Sequence, residues 1–155
     1  FKGTIKDNVL LGATDKSDEN LKLALRTAQA EDFVEKKHGG ADAELEQGGK
    51  NLSGGQRQRL SVARAIAAKP EVLILDDSSS ALDFLTDLNM RRAISSLDPK
   101  PTTFIVSQRA AAVKHADVIV VLDEGKEVGL GKRDELYKNC PVYREIESSQ
   151  EKGAE

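Results

Sequence analysis

The stretch Leu52-Ser53-Gly54-Gly55-Gln56-Arg57-Gln58-Arg59-Leu60 places a serine and two glycines at the start of a helical pattern. The first N–H groups of a helix lack intrahelical partners and its dipole favours negative charge, so this turn suits an anionic phosphate. Further on, Val72 to Asp77 (VLILDD) is a short apolar run that ends in two carboxylates. The C-terminal ends of buried parallel strands are where open sheets bind ligands. An aspartate there, Asp76, is suited to hold Mg²⁺ on a nucleotide phosphate, and its neighbour Asp77 to face the attacking water. Each signal also has a plain structural reading: a flexible helix cap for Ser-Gly-Gly, and a strand ending in a polar turn for Asp-Asp.

These residues need elements to position them. Ser17 reads as an N-cap with Asp18 and Glu19 in the first turn, and Leu21, Ala24, Leu25 and Ala28 share one face, which predicts an amphipathic helix from Asp18 to Ala30. A shorter helix over Glu31 to Lys37 stops at Gly39-Gly40, and Ala41 to Asn51 reads as a loop. After the glycine turn, Leu60, Ala63, Ile66 and Ala67 continue a helix to Lys69-Pro70. From there strands alternate with helices. Val72 to Leu75, Thr102 to Val106 and Asp117 to Leu122 are the strands, and Phe84 to Ser95, capped by Asp83, and Arg109 to Lys114 are the helices. That alternation predicts a parallel sheet buried on both faces. Glu127 to Leu130 follows a turn as a hairpin partner, and Asp134 to Tyr137 and Val142 to Ser148 are terminal helices.

Composition narrows the function. With 39% hydrophobic and 32% charged residues, the 155-residue chain has the balance of an ordinary folded domain. Its 23 basic and 26 acidic side chains include no basic stripe, which argues against nucleic acid as a partner. The longest apolar run, Val118 to Leu122, is far shorter than the ~20 residues of a membrane helix. The one cysteine, Cys140, excludes an internal disulfide. His38 reads as a helix-end residue, and His115 lacks the neighbours a metal site needs.

LSGGQRQRL, VLILDD and Ser80-Ala81-Leu82-Asp83 resemble, in order and spacing, the signature motif, Walker B strand and D-loop of ATP-binding cassette domains. FKGTIKDNVLLG at the N-terminus is similar to the segment after the Q-loop of exporter-type cassettes, and Cys140-Pro141-Val142-Tyr143-Arg144 to their C-terminal helix. A P-loop needs G-x-x-x-x-G-K and then Ser or Thr. Gly-Lys occurs at Gly49-Lys50, Gly125-Lys126 and Gly131-Lys132, but Asn51, Glu127 and Arg133 follow. The resemblance therefore implies the later part of a nucleotide-binding domain that begins mid-domain. Its fold class would be α/β, part of a P-loop NTPase-like ATPase. A helical subdomain with the signature over 1–60 would precede the second half of a mainly parallel sheet with flanking helices over 61–150, and a tail over 151–155.

The family also implies roles. Ser53, Gly54, Gly55 and Gln56 would bind ATP held on the P-loop of a second, facing nucleotide-binding domain, and Asp83 would act in the D-loop across that interface. Asp76 would ligate Mg²⁺, and Asp77 and Gln108 would be the catalytic carboxylate and switch residue. Glu46 would contact the transmembrane domain of the same transporter, at the cytoplasmic face of the membrane. Two positions depart from the family pattern. Asp77 stands where a glutamate is usual and is shorter by one methylene, and Gln108 replaces a histidine and cannot carry a proton's charge near neutral pH. Together they imply a subunit whose own site is degenerate and which completes a competent site on a heterodimeric partner. A competent homodimer, a non-hydrolytic regulatory module and a DNA-repair or chromosome-structuring ATPase are the alternatives. The last would need an inserted coiled coil, and none appears between Phe1 and Leu52.

Overall fold

In the computed structural model of the chain, which describes residues 1–78 and 80–152, Thr4 opens helix α1 (Ile5–Val9). Its hydroxyl accepts from the Asp7 N–H at 3.0 Å, and the Asp7 carboxylate accepts from the Thr4 N–H at 3.2 Å. This reciprocal box starts a helix that the apolar periodicity does not announce. Strand β1 (Gly3–Thr4) pairs antiparallel with β2 (Glu44–Leu45), so the expected loop over 41–51 contains a short strand flanked by 3₁₀ turns. The expected tail over 151–155 lies outside the described residues from 153 onward.

Helix α2 (Asp18–Thr27) begins at its Ser17 cap as expected and ends at Thr27, short of Ala30. Gln29 adopts φ 55, with its N–H donating to Arg26 O at 2.9 Å and the Ala30 N–H to Leu25 O at 2.7 Å. These are the two bonds of a Schellman stop, here with glutamine at the left-handed position that glycine usually fills. A tertiary contact favours that choice. Arg59 donates to Gln29 O at 2.6 Å while its guanidinium lies 4.7 Å from the Phe33 ring centre of α3 (Glu31–Glu35).

The chain divides into two compact units, Phe1–Phe104 and Ile105–Glu155. In the first, α1 and α2 pack against α4 (Gly54–Ala67). Ala24, Ala28, Ala63 and Ile5 are fully buried, and Leu21, Leu25, Leu60 and Ile66 are buried as well. Buried Asn20 donates to Ala67 O at 2.9 Å and to Asp15 O at 2.7 Å, which satisfies a carbonyl at the C-terminal end of α4. Strand β3 (Val72–Asp76) is followed by helix α5 (Phe84–Ser95) and by β4 (Thr102–Val106), which lies parallel beside β3; the Thr102 N–H donates to Glu71 O at 2.8 Å.

Within this chain β3 is covered on one face only. Leu73 and Leu75 are buried, whereas Val72 and Ile74 are 53% and 66% exposed. Helix α4 packs against β3, but the side carrying Val72 and Ile74 faces solvent, so burial alternates with the two-residue period of a strand.

The second unit centres on a hairpin of β5 (Ile119–Asp123) and β6 (Lys126–Gly131), with Ile119 opposite Gly131, Asp123 opposite Lys126, and a bulge between Val121 and Leu122. Glu124 and Gly125, at φ 47 and 75, form the turn; positive φ at both central residues matches the right-handed twist of the flanking strands. Helices α6 (Ala110–Val113), α7 (Arg133–Asn139) and α8 (Pro141–Lys152) complete it. Ile119, Val121, Leu136, Cys140 and Tyr143 form the core. A Cβ on Gly129 would come within 3.0 Å of Cys140 Sγ and Leu136 Cδ2, so the helices seat closely on the hairpin only over a glycine.

Candidate functional site

Ser53 starts α4 with a full capping box. Its Oγ accepts from the Gln56 N–H at 3.2 Å, and Gln56 Oε1 accepts from the Ser53 N–H at 3.0 Å. The box fixes the entry of the chain into the helix, so the first-turn amides of Gly54 and Gly55 emerge in a set direction. Arg57 holds the preceding loop by donating to Leu52 O at 2.7 Å.

The same turn lies against the segment that follows β3. A Cβ on Gly55 would stand 2.8 Å from Ala81 O, and one on Gly54 would stand 3.6 Å from Ala81 Cβ. Glycine at 55 is therefore demanded by backbone approach, since its φ is not positive. Ser53 to Gln56, the Asp76-Asp77 pair and Ala81 to Asp83 all belong to the first unit.

Asp76 ends β3 with its side chain exposed, and Asp77 follows at φ 45. A non-glycine residue in that region costs on the order of 1–3 kcal/mol and persists only where its surroundings hold it. Here Asp77 O accepts three hydrogen bonds: from the Ser80 N–H at 3.2 Å, Ser80 Oγ at 3.0 Å and Gln58 Nε2 at 2.9 Å. Asp83 caps α5, accepting from the Thr86 N–H at 2.9 Å and the Thr86 hydroxyl at 2.7 Å; those bonds hold its carboxyl below the usual carboxylate range.

Gln108 belongs to the second unit, where its side chain is exposed. Its carbonyl accepts from Gln150 Nε2 at 2.6 Å, and Gln150 Oε1 accepts from the Ala110 N–H at 2.9 Å, which pins the segment between β4 and α6 to helix α8. Glu46 is exposed on a loop closed by Asn51, which accepts from the Glu46 N–H at 3.2 Å and donates to Glu44 O at 2.9 Å. His115 lines a cleft of about 620 Å³ in the second unit with Lys114, Lys132, Arg133 and Glu147, and none of the candidate site residues borders it.

Among the described residues no three His, Cys, Asp or Glu side chains gather as a metal-binding group. Asp76, with Asp77 next to it, offers one or two carboxylates, a donor set that fits Mg²⁺, which keeps several waters and takes one or two carboxylates beside phosphate oxygens. Gln58 stands within LSGGQRQRL, but the motif assigns it no role. Its partners are 19 to 23 residues away and include backbone atoms, so no periodicity marks it. No helix among the described residues is long and apolar enough to cross a membrane.

Residues 2–80 match the family model described as ABC transporter. The chain is 38% identical over 150 residues to the Bacillus subtilis (strain 168) protein named "Uncharacterized ABC transporter ATP-binding protein YfiC", covering 97% of this chain and 25% of that protein. It is 41% identical over 136 residues to the beta-(1→2)glucan export ATP-binding/permease protein NdvA of Bartonella bacilliformis, covering 88% of this chain and 23% of that one. A solved structure of a bacterial Atm1-family ABC exporter with ATP bound superposes with a TM-score of 0.92 at 29% identity, over 97% of this chain and 26% of that chain. The chain thus spans 25% and 23% of the two curated relatives.

Proposed function

The chain belongs to the ABC transporter family, and from that premise we propose that it forms the later part of an exporter's nucleotide-binding domain, which couples ATP binding and hydrolysis at a cassette dimer interface to transport. In this reading 1–60 is the helical subdomain and 61–150 the second half of the α/β core. The observation that carries it is the capped glycine turn of α4 set against the segment after β3. That arrangement brings a phosphate-binding helix start and a strand-end carboxylate pair into one unit.

Ser53, Gly54, Gly55 and Gln56 receive the γ-phosphate of ATP held by the facing nucleotide-binding domain, with Asp83 at the interface between the two. Asp76 is the protein's ligand to Mg²⁺, which when bound neutralises charge on the phosphate oxygens. Hydrolysis is attack of water on the γ-phosphorus with departure of ADP. At this chain's own site Asp77 takes the water's proton, and Gln108 offers hydrogen bonds without a titrating charge. The shorter reach of Asp77 and the neutral Gln108 make that site slow. The subunit therefore pairs with a different cassette and completes a faster site on it. The exposed Glu46 loop meets the transmembrane domain at the cytoplasmic face of the membrane.

The test is steady-state ATPase activity of the full-length protein, alone and mixed with a candidate partner subunit. Turnover only in the mixture supports the heterodimer, and D77E/Q108H should then raise turnover of the protein alone by roughly 10² to 10⁴. Full turnover by the wild-type chain alone would replace this reading with a competent homodimer.

A further inference from the structure

Gln58 lies half-buried on the second turn of α4, and its carboxamide is fully engaged by the turn that follows β3. Nε2 donates to Asp77 O at 2.9 Å and to Ser80 Oγ at 3.3 Å, while Oε1 accepts from the Ala81 N–H at 3.1 Å. The chemistry is selective. The turn presents acceptors to one end of the side chain and a donor to the other, and only an amide of this length meets both. Glutamate would set a second acceptor against the Asp77 carbonyl, and lysine or arginine would leave the Ala81 N–H without its acceptor.

We infer that Gln58 is a positioning residue: its carboxamide locks Asp77, Ser80 and Ala81 to the helix that carries Ser53 and Gly55, so that the carboxylate end of β3 and the phosphate-binding turn move as one body. Three observations converge on this. Asp77 sits at φ 45, a conformation an aspartate leaves unless held, and one of the bonds holding its carbonyl comes from Gln58. Ala81 is the residue whose carbonyl crowds Gly55, so the Gln58 bond to its N–H sets that approach from the other side of the same residue. Gln58 itself lies on α4, one turn from the capping box that Ser53 and Gln56 form. A shift of the glycine turn toward or away from a phosphate is then transmitted to the backbone of Asp77.

The inference rests on the proposed function for its link to turnover, and its test separates the two. In the full-length protein with its partner subunit, Q58A and the isosteric Q58E should lower kcat for Mg-ATP at least tenfold, with KM for ATP within twofold. A merely structural residue would lower the thermal midpoint and leave kcat of the folded protein unchanged. Amide exchange at Ala81 should accelerate in Q58A. Turnover within twofold of wild type in both variants overturns the role, as does unchanged exchange at Ala81 in Q58A. If the wild type shows no turnover in any pairing, the proposed function fails, and the exchange rate at Ala81 alone decides for or against the lock.

Discussion

Gly55 offers the sharpest test of how the glycine turn of α4 is built. An alanine Cβ there would stand 2.8 Å from Ala81 O, while ordinary contact begins at 3.4 Å, so the segment must retreat by about 0.6 Å. Moving Ala81 that far from α4 lengthens its N–H bond to Gln58 from 3.1 Å to about 3.7 Å, beyond hydrogen-bond range. The overpacking costs about 1–3 kcal/mol and the lost bond about 1 kcal/mol more. Gly54→Ala is the matched control, because its Cβ meets Ala81 Cβ at 3.6 Å and Arg57 Nη2 at 3.9 Å, both ordinary contacts. Both substitutions gain up to about 1 kcal/mol of helix propensity, which cancels in the comparison. Urea unfolding of the complete nucleotide-binding domain should therefore place G55A about 2–4 kcal/mol below G54A. Equal unfolding midpoints for the two, with Ala81 still protected from exchange in G55A, would refute the reasoning, since they would mean that Ala81 O does not crowd this position.

Two further outcomes follow from the same geometry. Asn20→Ala removes the donor to Ala67 O inside the first unit and should destabilise the domain by about 1–3 kcal/mol, read as a lower thermal midpoint, while Asn20→Asp should do no better because it brings no N–H to that carbonyl. Asp83 has a folded-state carboxyl below its unfolded value of about 3.9, so its contribution to α5 is present above that pH and is lost as pH falls through the lower folded value. Asn at 83 keeps a capping oxygen without titrating, so the difference in thermal midpoint between wild type and D83N should shrink as pH drops from 6 to 3, and a gap constant over that range would count against the cap as its origin.

Much of the local structure was legible from the chain itself. Ser17 and Asp83 start helices because their side chains reach N–H groups only three residues on, and Glu124-Gly125 turns the hairpin because both residues accept positive φ. Such interactions lie within a few residues, so spacing alone reveals them. Ser53 to Gln56, Asp76, Asp77 and Asp83 stood out as an ordered series because their order and spacing resemble the motifs of ATP-binding cassettes. Other features depend on atoms far along the chain. The end of α2 at Thr27 relies on a left-handed Gln29 whose carbonyl Arg59 holds, a contact across 30 residues that no helical periodicity encodes. The exposure of Ile74 on a strand that reads as wholly apolar depends on which elements lie over β3. The need for glycine at 55 and for an amide at 58 arises only when the turn after β3 comes down on α4. Short-range hydrogen bonding is written in residue order, whereas backbone approach and burial are set by packing between segments that the order leaves far apart.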